Sequence, residues 1–433
     1  MNGPSQDSHG PSWLAGDRRV CWHPYTQHAI DPEPLPVARA SGAWLELHDG
    51  RKLLDAISSW WACLHGHGHP RLVRALSEQA SRLDHVMFAG CTHEPAVRLA
   101  ERLVEVTPPG LTRVFYSDDG STAVEVALKA ACMTWLRRGE KRRTCFVALE
   151  GGYHGDTFGA MSVGDPDPFF LDLAPFLFEA ERVPADAGRL EELLRRRRGE
   201  VAAVILEPGV QGAAGMKPVP ASFVREARRL CDADGLFLIA DEVMTGFGRT
   251  GTLFACERAE IAPDLLCLSK GLSGGMLPLA ATLATEEIYS AFLSEDRMRT
   301  FFHGHTFTAH AMGCAVGLES LRMVEEERVP ARFEQIGERI ESGLAALRSE
   351  PAVQDVRRIG GIAAVELGGA SGGYLSDWGP RLREACRRLP HDVLLRPLGN
   401  VLYGMPPACT TDAECARIAS AMVDVVNEVV TAV

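Results

Sequence analysis

The fold is decided by two stretches of the chain, Leu236-Phe237-Leu238-Ile239-Ala240-Asp241 and Leu265-Leu266-Cys267-Leu268-Ser269-Lys270-Gly271. Each is a short apolar run bounded by turn residues, a pattern that predicts a buried β-strand. The first run ends on a carboxylate, Asp241, and the second opens into an amine, Lys270. Functional side chains of open α/β sheets lie at the carboxyl ends of the strands, so we expect both groups at that edge.

The same pattern recurs across the middle of the chain. Short apolar runs separated by helical patterns occur at 114–116, 146–149, 201–206, 236–240, 265–268 and 279–283. Strands that alternate with helices form mainly parallel sheets covered on both faces. The predicted fold class is therefore α/β, with a mainly parallel sheet flanked by helices.

The chain has 433 residues, which is more than one compact core usually contains. This length favours two domains. From about Ala309 onward the pattern changes to long amphipathic helices, predicted at 330–349, 377–389 and 412–429. We predict a large domain over residues 71–308 and a smaller α+β domain over 309–433. Residues 1–70 are predicted to form an N-terminal segment that packs with the smaller domain.

Composition excludes several classes of protein. A net charge of -12 argues against binding to nucleic acid, and no apolar stretch reaches the length of a membrane span. The 12 cysteines are scattered without a C-x-x-C pair, which favours the reducing cytoplasm over a disulfide framework. His65, His67 and His69 alternate with Gly66 and Gly68, and a tight loop explains this spacing better than a metal site, so no metal is predicted.

Lys270 and Asp241 are the two side-chain types that pyridoxal phosphate chemistry requires at minimum. A lysine amine can form a Schiff base with an aldehyde, and a carboxylate can hold the proton of a pyridinium ring. The alternative is a surface lysine and a strand-end aspartate without a shared role. Spacing alone does not decide between these two interpretations.

Other predicted strand ends carry groups that suit the same cofactor. Gly120 and Ser121 precede a helical run in which Thr122 and Glu125 have capping-box spacing, and a helix N-terminus binds phosphate well. Tyr153 lies in the Gly151–Asp156 loop after the next strand, where its ring can stack on a heteroaromatic ring. Glu207 ends a further strand. Each signal alone also fits a simple cap or a loop-packing aromatic, but their succession favours a cofactor site.

Together these motifs resemble those of the class III aminotransferases, which are fold-type I pyridoxal phosphate enzymes. The resemblance covers nearly the whole chain and rests on 241–251, 269–271, Glu207-Pro208 and 303–307. It implies that Lys270 binds the cofactor covalently and moves the substrate proton. It also implies a homodimer with active sites at the interface, in which Thr306 reaches the phosphate held by the other subunit. The implied cofactor-binding residues are Gly120, Ser121, Tyr153, Glu207, Asp241, Val243, Lys270, His305 and Thr306.

Motifs near both ends of the chain resemble those of the family members that act in biotin synthesis. They are Trp-His-Pro-Tyr-Thr at 22–26, Ser-Ser-Trp-Trp at 58–61, Arg-Pro at 396–397 and Met-Pro-Pro at 405–407. This resemblance implies amino transfer from S-adenosylmethionine to 8-amino-7-oxononanoate, giving 7,8-diaminononanoate. Arg396 suits a carboxylate, and Trp60 with Tyr25 suits a methylene chain. The alternatives are that Trp60 and Trp61 are core aromatics and that Arg396 belongs to a structural ion pair. The implied substrate-binding residues are Tyr25, Trp60, Trp61, Tyr153, Asp156, Lys270, Gly304, Arg396 and Tyr403.

One position departs from that pattern. His305 lies where the enzymes that use S-adenosylmethionine often have proline, so lysine remains an alternative amino donor. Another class III activity, on omega-amino acids or acetylornithine, is a second alternative, but it would not need the tryptophan motifs. A catalytically silent binding protein with this fold is a third, and it would be expected to lose Lys270 or Asp241, which are both present.

Overall fold

The computed structural model describes residues 11, 13–165, 170–369, 376–388 and 392–431. Its helical segments are α1 (Leu14–Val20), α2 (Ser58–Trp61), α3 (Pro70–Arg82), α4 (Glu94–Val106), α5 (Gly120–Arg137), α6 (Phe158–Val163), α7 (Ala187–Arg196), α8 (Ala221–Asp234), α9 (Glu286–Ser290), α10 (Ala311–Glu326), α11 (Val329–Gly343), α12 (Trp378–Arg388) and α13 (Asp412–Thr431). Short 3-10 helices cover Leu171–Phe176, Ala255–Ala259, Lys270–Ser273, Arg297–Arg299 and Ala345–Ser349.

The strands are β1 (Val37–Ser41), β2 (Trp44–Leu47), β3 (Lys52–Asp55), β4 (Leu111–Ser117), β5 (Cys145–Leu149), β6 (Glu181–Val183), β7 (Val201–Leu206), β8 (Val210–Gln211), β9 (Lys217–Pro218), β10 (Phe237–Asp241), β11 (Leu265–Leu268), β12 (Ala280–Thr285), β13 (Val353–Ile359), β14 (Ile362–Leu367), β15 (Val393–Leu394) and β16 (Val401–Gly404). The largest sheet has the order β4-β12-β11-β10-β7-β5-β6. Strand β10 is parallel to β7 and β11, and β5 is parallel to β6 and β7. The predicted mainly parallel sheet is confirmed.

Strand β12 is the exception, because it runs antiparallel to both β11 and β4. The connection from Leu268 to Ala280 contains only a short 3-10 helix, and parallel pairing needs a longer crossover that is usually an α-helix. The reversal leaves β4, β7, β10 and β11 pointing the same way. Their carboxyl ends therefore share one edge of the sheet.

The large sheet is buried on both faces, which explains why its strands are apolar throughout. All six residues of β7 are buried. Val204 packs in one core cluster with Phe223 of α8, whereas its neighbour Ile205 packs in another with Ala127 of α5. Successive side chains of a strand point to opposite faces, so helices cover both sides of this sheet.

Strands from both ends of the chain meet in one of the smaller sheets. Strands β13, β14 and β16 form one antiparallel sheet, and the N-terminal strands β1–β3 join β15 in another, in which Leu54 pairs with Val393. Helices α11, α12 and α13 lie close to the three predicted ranges, although Leu389 falls outside the described residues. The predicted division into 1–70, 71–308 and 309–433 stays a prediction. No helix within the described ranges combines the length and the apolar character needed to cross a bilayer.

Candidate active site

The carboxyl edge of the large sheet brings together side chains from strands far apart in sequence. Asp241 ends β10, Glu207 follows β7, and Lys270 follows β11 after one residue. A cavity of about 280 Å³ opens beside Lys270. Its lining consists of Tyr25, Trp60, Trp61, Tyr153, Ala213, Lys270, Arg396, Leu398 and Tyr403.

Lys270 faces this cavity in a strained backbone conformation. Its φ is 45°, a left-handed value that is uncommon for a residue other than glycine, and its Nζ lies 4.6 Å from the centre of the Trp61 ring. Burial lowers the pKa of Lys270 from 10.5 to about 8, although the charges of Asp241 and Glu207 oppose the shift. A lower pKa gives more of the neutral amine, which is the nucleophilic form.

Asp241 is paired with a histidine that the sequence did not single out. Nδ1 of His154 lies 2.7 Å from Oδ2 of Asp241, and the backbone N–H of Val243 donates to Oδ1 at 3.0 Å. Burial disfavours a charged imidazole, but the bond to Asp241 outweighs it and raises the pKa of His154. The Asp241 carboxylate thereby favours the charged form of His154. The signal that could have found it is its place beside Tyr153 in the same loop.

Glu207 joins two loops at the back of the cavity. Its carboxylate accepts hydrogen bonds from the backbone N–H of Tyr153 at 3.1 Å and from that of Gly212 at 2.9 Å. Burial raises the pKa of Glu207 to about 7, and the charge of Asp241 adds to the shift. Because Glu207 does not line the cavity, the structure gives it a supporting place behind Tyr153.

Gly120 and Ser121 are the first two residues of α5, where backbone N–H groups have no partner within the helix. The predicted capping box of Thr122 and Glu125 is wrong, because Asp119 caps the helix and accepts from the N–H of Thr122 at 2.9 Å. Glu125 instead accepts from the N–H of Gly159 at 2.7 Å. A carboxylate can accept this N–H as well as a hydroxyl can, so the cap lies three residues earlier than predicted and the helix begins at Gly120.

Gly120 packs tightly against the side chain of Val243. A Cβ atom added to Gly120 would lie 2.6 Å from Cγ1 of Val243, so no larger residue fits there without a shift. Val243 follows Asp241 by two residues, which brings the helix N-terminus near the carboxylate. An anion-binding helix end, a paired carboxylate and a nucleophilic amine fit the phosphate, ring nitrogen and aldehyde of pyridoxal phosphate.

Two tyrosines and an aspartate form a hydrogen-bonded cluster at one side of the cavity. The Tyr25 hydroxyl donates to Oδ2 of Asp156 at 2.7 Å, and the Tyr153 hydroxyl donates to Oδ1 at 3.0 Å. The two hydroxyl oxygens are 3.2 Å apart. The cluster thus places a carboxylate and two hydroxyls where a cationic or amine group of a substrate can bind.

Trp60 and Trp61 come from the short segment α2. The Trp60 ring lies 5.6 Å from that of Tyr25, with Cζ of Arg396 4.7 Å from its centre, and Nε1 of Trp61 donates to the Tyr403 hydroxyl at 2.8 Å. Arg396 forms no ion pair with a described carboxylate. A guanidinium without an anionic partner beside aromatic walls is suited to a carboxylate that ends an apolar chain.

The backbone of α2 is left-handed throughout. The φ angles of Ser58, Ser59, Trp60 and Trp61 are 50°, 44°, 69° and 76°. Left-handed backbone costs a residue other than glycine about 1 to 2 kcal/mol. Contacts elsewhere must hold this segment, which we call the tryptophan turn, in its strained shape.

The remaining predicted residues lie apart from the cavity. Gly304, His305 and Thr306 belong to an irregular segment before α10, and none of them lines it. Nε2 of His305 is 3.7 Å from Oδ1 of Asp118, whereas Thr306 is exposed. The lining residues Ala213 and Leu398 were not predicted, because small and aliphatic residues carry no chemical signal in a sequence.

The three alternating histidines have separate structural partners. His65 lies 3.1 Å from the Ser320 hydroxyl, His67 lies 2.8 Å from Asp55, and His69 accepts from a backbone N–H at the start of α3. Within the ranges that the structure describes, no group of three His, Cys, Asp or Glu side chains is placed to hold a metal ion.

Comparison with known proteins agrees with this geometry. The profile of the aminotransferase class-III family matches residues 25–426. The chain therefore belongs to the class III aminotransferases, and the predicted enzyme class is confirmed.

Two of the similar proteins have the same name. The chain is 47% identical to the adenosylmethionine-8-amino-7-oxononanoate aminotransferase of Synechococcus elongatus, over 94% of this chain and 98% of that protein. It is 43% identical to the enzyme of the same name from Geobacter sulfurreducens, over 92% and 93%.

Solved structures confirm the fold class. The crystal structure of the adenosylmethionine-8-amino-7-oxononanoate aminotransferase from Methanocaldococcus jannaschii matches with a TM-score of 0.91 at 37% identity, covering 96% of this chain and 98% of that one. A PLP-bound amine transaminase from an uncultivated Pseudomonas species matches with a TM-score of 0.87 at 31% identity, covering 94% and 98%.

Proposed function

We propose that this protein uses pyridoxal phosphate to transfer the amino group of S-adenosylmethionine to 8-amino-7-oxononanoate, giving 7,8-diaminononanoate. The observation that carries the proposal is the cavity itself, which has a lysine of lowered pKa beside Trp61 and an arginine without a described carboxylate partner beside Trp60. Long aromatic walls between an amine and a guanidinium suit a substrate that is a long chain with a carboxylate end. The names of the relatives support the same pair of substrates.

The residues at the sheet edge would hold the cofactor. When bound, pyridoxal phosphate supplies an aldehyde and an electron-accepting ring that stabilises negative charge on the substrate carbon. Asp241, held in place by His154, would accept the hydrogen bond of a protonated ring nitrogen. The N–H groups of Gly120 and Ser121 bind the phosphate. Tyr153 and Val243 are proposed to contact the two faces of the ring.

Lys270 carries out the proton transfers. Its neutral amine takes the proton from the donor's α-carbon and returns it at a different atom, as a general base and then a general acid. A pKa of about 8 keeps the two protonation states close in free energy near neutral pH, so both steps remain accessible.

The other walls recognise the substrates. Arg396 is proposed to bind the carboxylates of donor and acceptor in turn, with Trp60, Trp61, Tyr25 and Tyr403 lining the path of the methylene chain. Asp156, bonded to both tyrosine hydroxyls, would bind the amino group of 8-amino-7-oxononanoate. A carboxylate accepts several hydrogen bonds, so it keeps capacity for an ammonium group.

The experiment that tests this function compares acceptors. Purified holoenzyme is supplied with S-adenosylmethionine and with 8-amino-7-oxononanoate, 2-oxoglutarate or pyruvate, and products are measured by mass spectrometry. We expect a preference for 8-amino-7-oxononanoate, which Trp60→Ala weakens through lost apolar contact. Preference for 2-oxoglutarate, unaffected by Trp60→Ala, would assign the protein to a general class III activity instead.

A homodimer with shared active sites is part of the proposal. Phe302 and Phe307 flank the segment that carries Thr306, and they are 69% and 54% exposed, while Trp22 is 92% exposed. Large apolar side chains exposed this far suit an interface with a second copy. Thr306 lies outside the cavity of its own chain, which leaves it available to a partner's phosphate site.

Mixed dimers test this arrangement. If Lys270 and Thr306 serve one site from two chains, a heterodimer of Lys270→Ala and Thr306→Ala chains contains one complete wild-type site. We expect activity to rise when the two variants exchange subunits. Absence of a gain, despite exchange shown by mass spectrometry, would place Thr306 in the site of its own chain.

A further inference from the structure

The tryptophan turn, Ser58–Trp61, has no counterpart in the described chain. Among the described residues, eleven other than glycine have left-handed φ angles, and these four are the only ones of them adjacent to one another. Trp60 and Trp61 line the cavity, whereas Ser58 and Ser59 do not. A strained segment persists only where its surroundings determine its shape, so the contacts of this turn bear on the site.

One buried carboxylate contacts the chain before, within and after the turn. Asp55, at the end of β3, is completely buried and accepts from the N–H of Ile57 at 3.2 Å. Its Oδ2 accepts from the Ser59 hydroxyl at 2.8 Å and lies 2.8 Å from Nε2 of His67. Asp55 therefore joins three positions whose spacing sets the shape of the turn.

We propose that Asp55 is a positioning residue for the acceptor, because its bonds to Ser59 and His67 hold the tryptophan turn in the shape that presents Trp60 and Trp61 to the cavity. Neither Asp55 nor His67 lines the cavity, so both act through the two tryptophans. The role in acceptor binding rests on the proposed function, whereas the role in holding the turn does not.

The contact between Asp55 and His67 is an ion pair. The hydrogen bond to Asp55 raises the pKa of His67 to about 10, with Sγ of Cys63 also 3.6 Å from Nδ1. His67 is therefore an imidazolium at neutral pH, and its charge offsets the burial of the Asp55 carboxylate. A buried carboxylate that loses its charge partner is costly, so each member of the pair requires the other.

The consequence for the site follows from the contacts of the two rings. Trp60 lies between Tyr25 and Arg396, and Trp61 lies against Lys270 and Tyr403. A turn that relaxes toward ordinary backbone angles moves both rings out of these contacts. The acceptor's apolar path is then lost while Asp241 and the helix end that binds phosphate are unchanged.

The test compares Asp55→Asn with the matched control Asp49→Asn, an exposed carboxylate in the same N-terminal region that bonds Arg51. In Asp55→Asn holoenzyme we expect the KM for 8-amino-7-oxononanoate to rise about tenfold or more, the effect of losing one charge-assisted hydrogen bond, with kcat changed less. Cofactor affinity, which depends on Asp241 and the N-terminus of α5, should match wild type. A crystal structure of the variant should show φ angles at 58–61 that differ from those of the control.

Unchanged KM and unchanged φ angles in Asp55→Asn would overturn the proposal. If Asp55→Asn does not fold, Ser59→Ala decides, because it removes one exposed hydroxyl and leaves the Asp55–His67 pair intact. We expect Ser59→Ala to raise the KM about two- to fivefold, through loss of the hydrogen bond from its hydroxyl to Asp55. An unchanged KM in Ser59→Ala would overturn the proposal. If wild type does not use 8-amino-7-oxononanoate at all, the proposed function fails. The φ angles at 58–61 then test by themselves whether Asp55 holds the turn.

Discussion

Arg396→Ala is the substitution that separates recognition of a carboxylate from a structural role for this arginine. The guanidinium stacks on Trp60 at 4.7 Å and lines the cavity without a described ion-pair partner. A substrate carboxylate can therefore bind it through two parallel hydrogen bonds in a partly desolvated site. Two charge-assisted bonds of this kind contribute on the order of 2 to 4 kcal/mol, which is roughly thirty- to a thousandfold in rate.

The assay is the acceptor half-reaction, in which the amino form of the holoenzyme is mixed with 8-amino-7-oxononanoate and cofactor absorbance is followed. We expect kcat/KM of Arg396→Ala to fall by the factor above. Arg396→Lys should recover only part of the loss, since an ammonium cannot reproduce the planar pair of bonds. Arg381→Ala is the matched control, because Arg381 also stacks on a tryptophan, Trp378 at 5.6 Å, but outside the cavity. A loss below threefold in Arg396→Ala, or an equal loss in the control, would refute the assignment.

Three further predictions concern the cofactor site. Lys270→Ala should fold with an unchanged melting temperature yet lose transamination, and measurable steady-state turnover would contradict its role as base. Asp241→Asn should weaken cofactor affinity and slow proton removal by roughly ten- to a hundredfold, the size of one charge-assisted hydrogen bond, as measured by equilibrium dialysis and stopped-flow absorbance. Because only the neutral amine attacks and the pKa of Lys270 is about 8, attachment of pyridoxal phosphate to the apoenzyme should accelerate about tenfold per pH unit below 8 and level off above it. An increase that continues unchanged to pH 10 would show an unshifted lysine.

The large sheet was predictable because its strands are buried on both faces. The predicted runs 201–206 and 265–268 coincide with β7 and β11. A strand that is buried on both faces is apolar at every position, so its first and last residues are easy to locate in the sequence. The same reasoning placed Lys270 and Asp241 at one edge. The pairing of β3 with β15, in contrast, joins residues more than three hundred positions apart, and no local pattern encodes such a contact.

The sequence predicted the chemical groups of the candidate site but not the contacts that hold them in place. The sequence did not indicate His154 because its role as the partner of Asp241 depends on the distance between them, which is set by the spacing of two strands. The tryptophan turn was missed for a stronger reason. Local propensity disfavours left-handed backbone at Ser58–Trp61, and only tertiary contacts such as those of Asp55 hold it.

The central claim is that the α-amino group of S-adenosylmethionine is carried to the keto carbon of 8-amino-7-oxononanoate. The most direct measurement supplies the holoenzyme with S-adenosylmethionine labelled with nitrogen-15 at that amino group, together with unlabelled acceptor and unlabelled lysine as a competing donor. Mass spectrometry of the product then reports the origin of its new nitrogen. We predict 7,8-diaminononanoate with one labelled nitrogen, at position 7. Unlabelled product would make lysine the donor, and no diaminononanoate at all would contradict the proposed function.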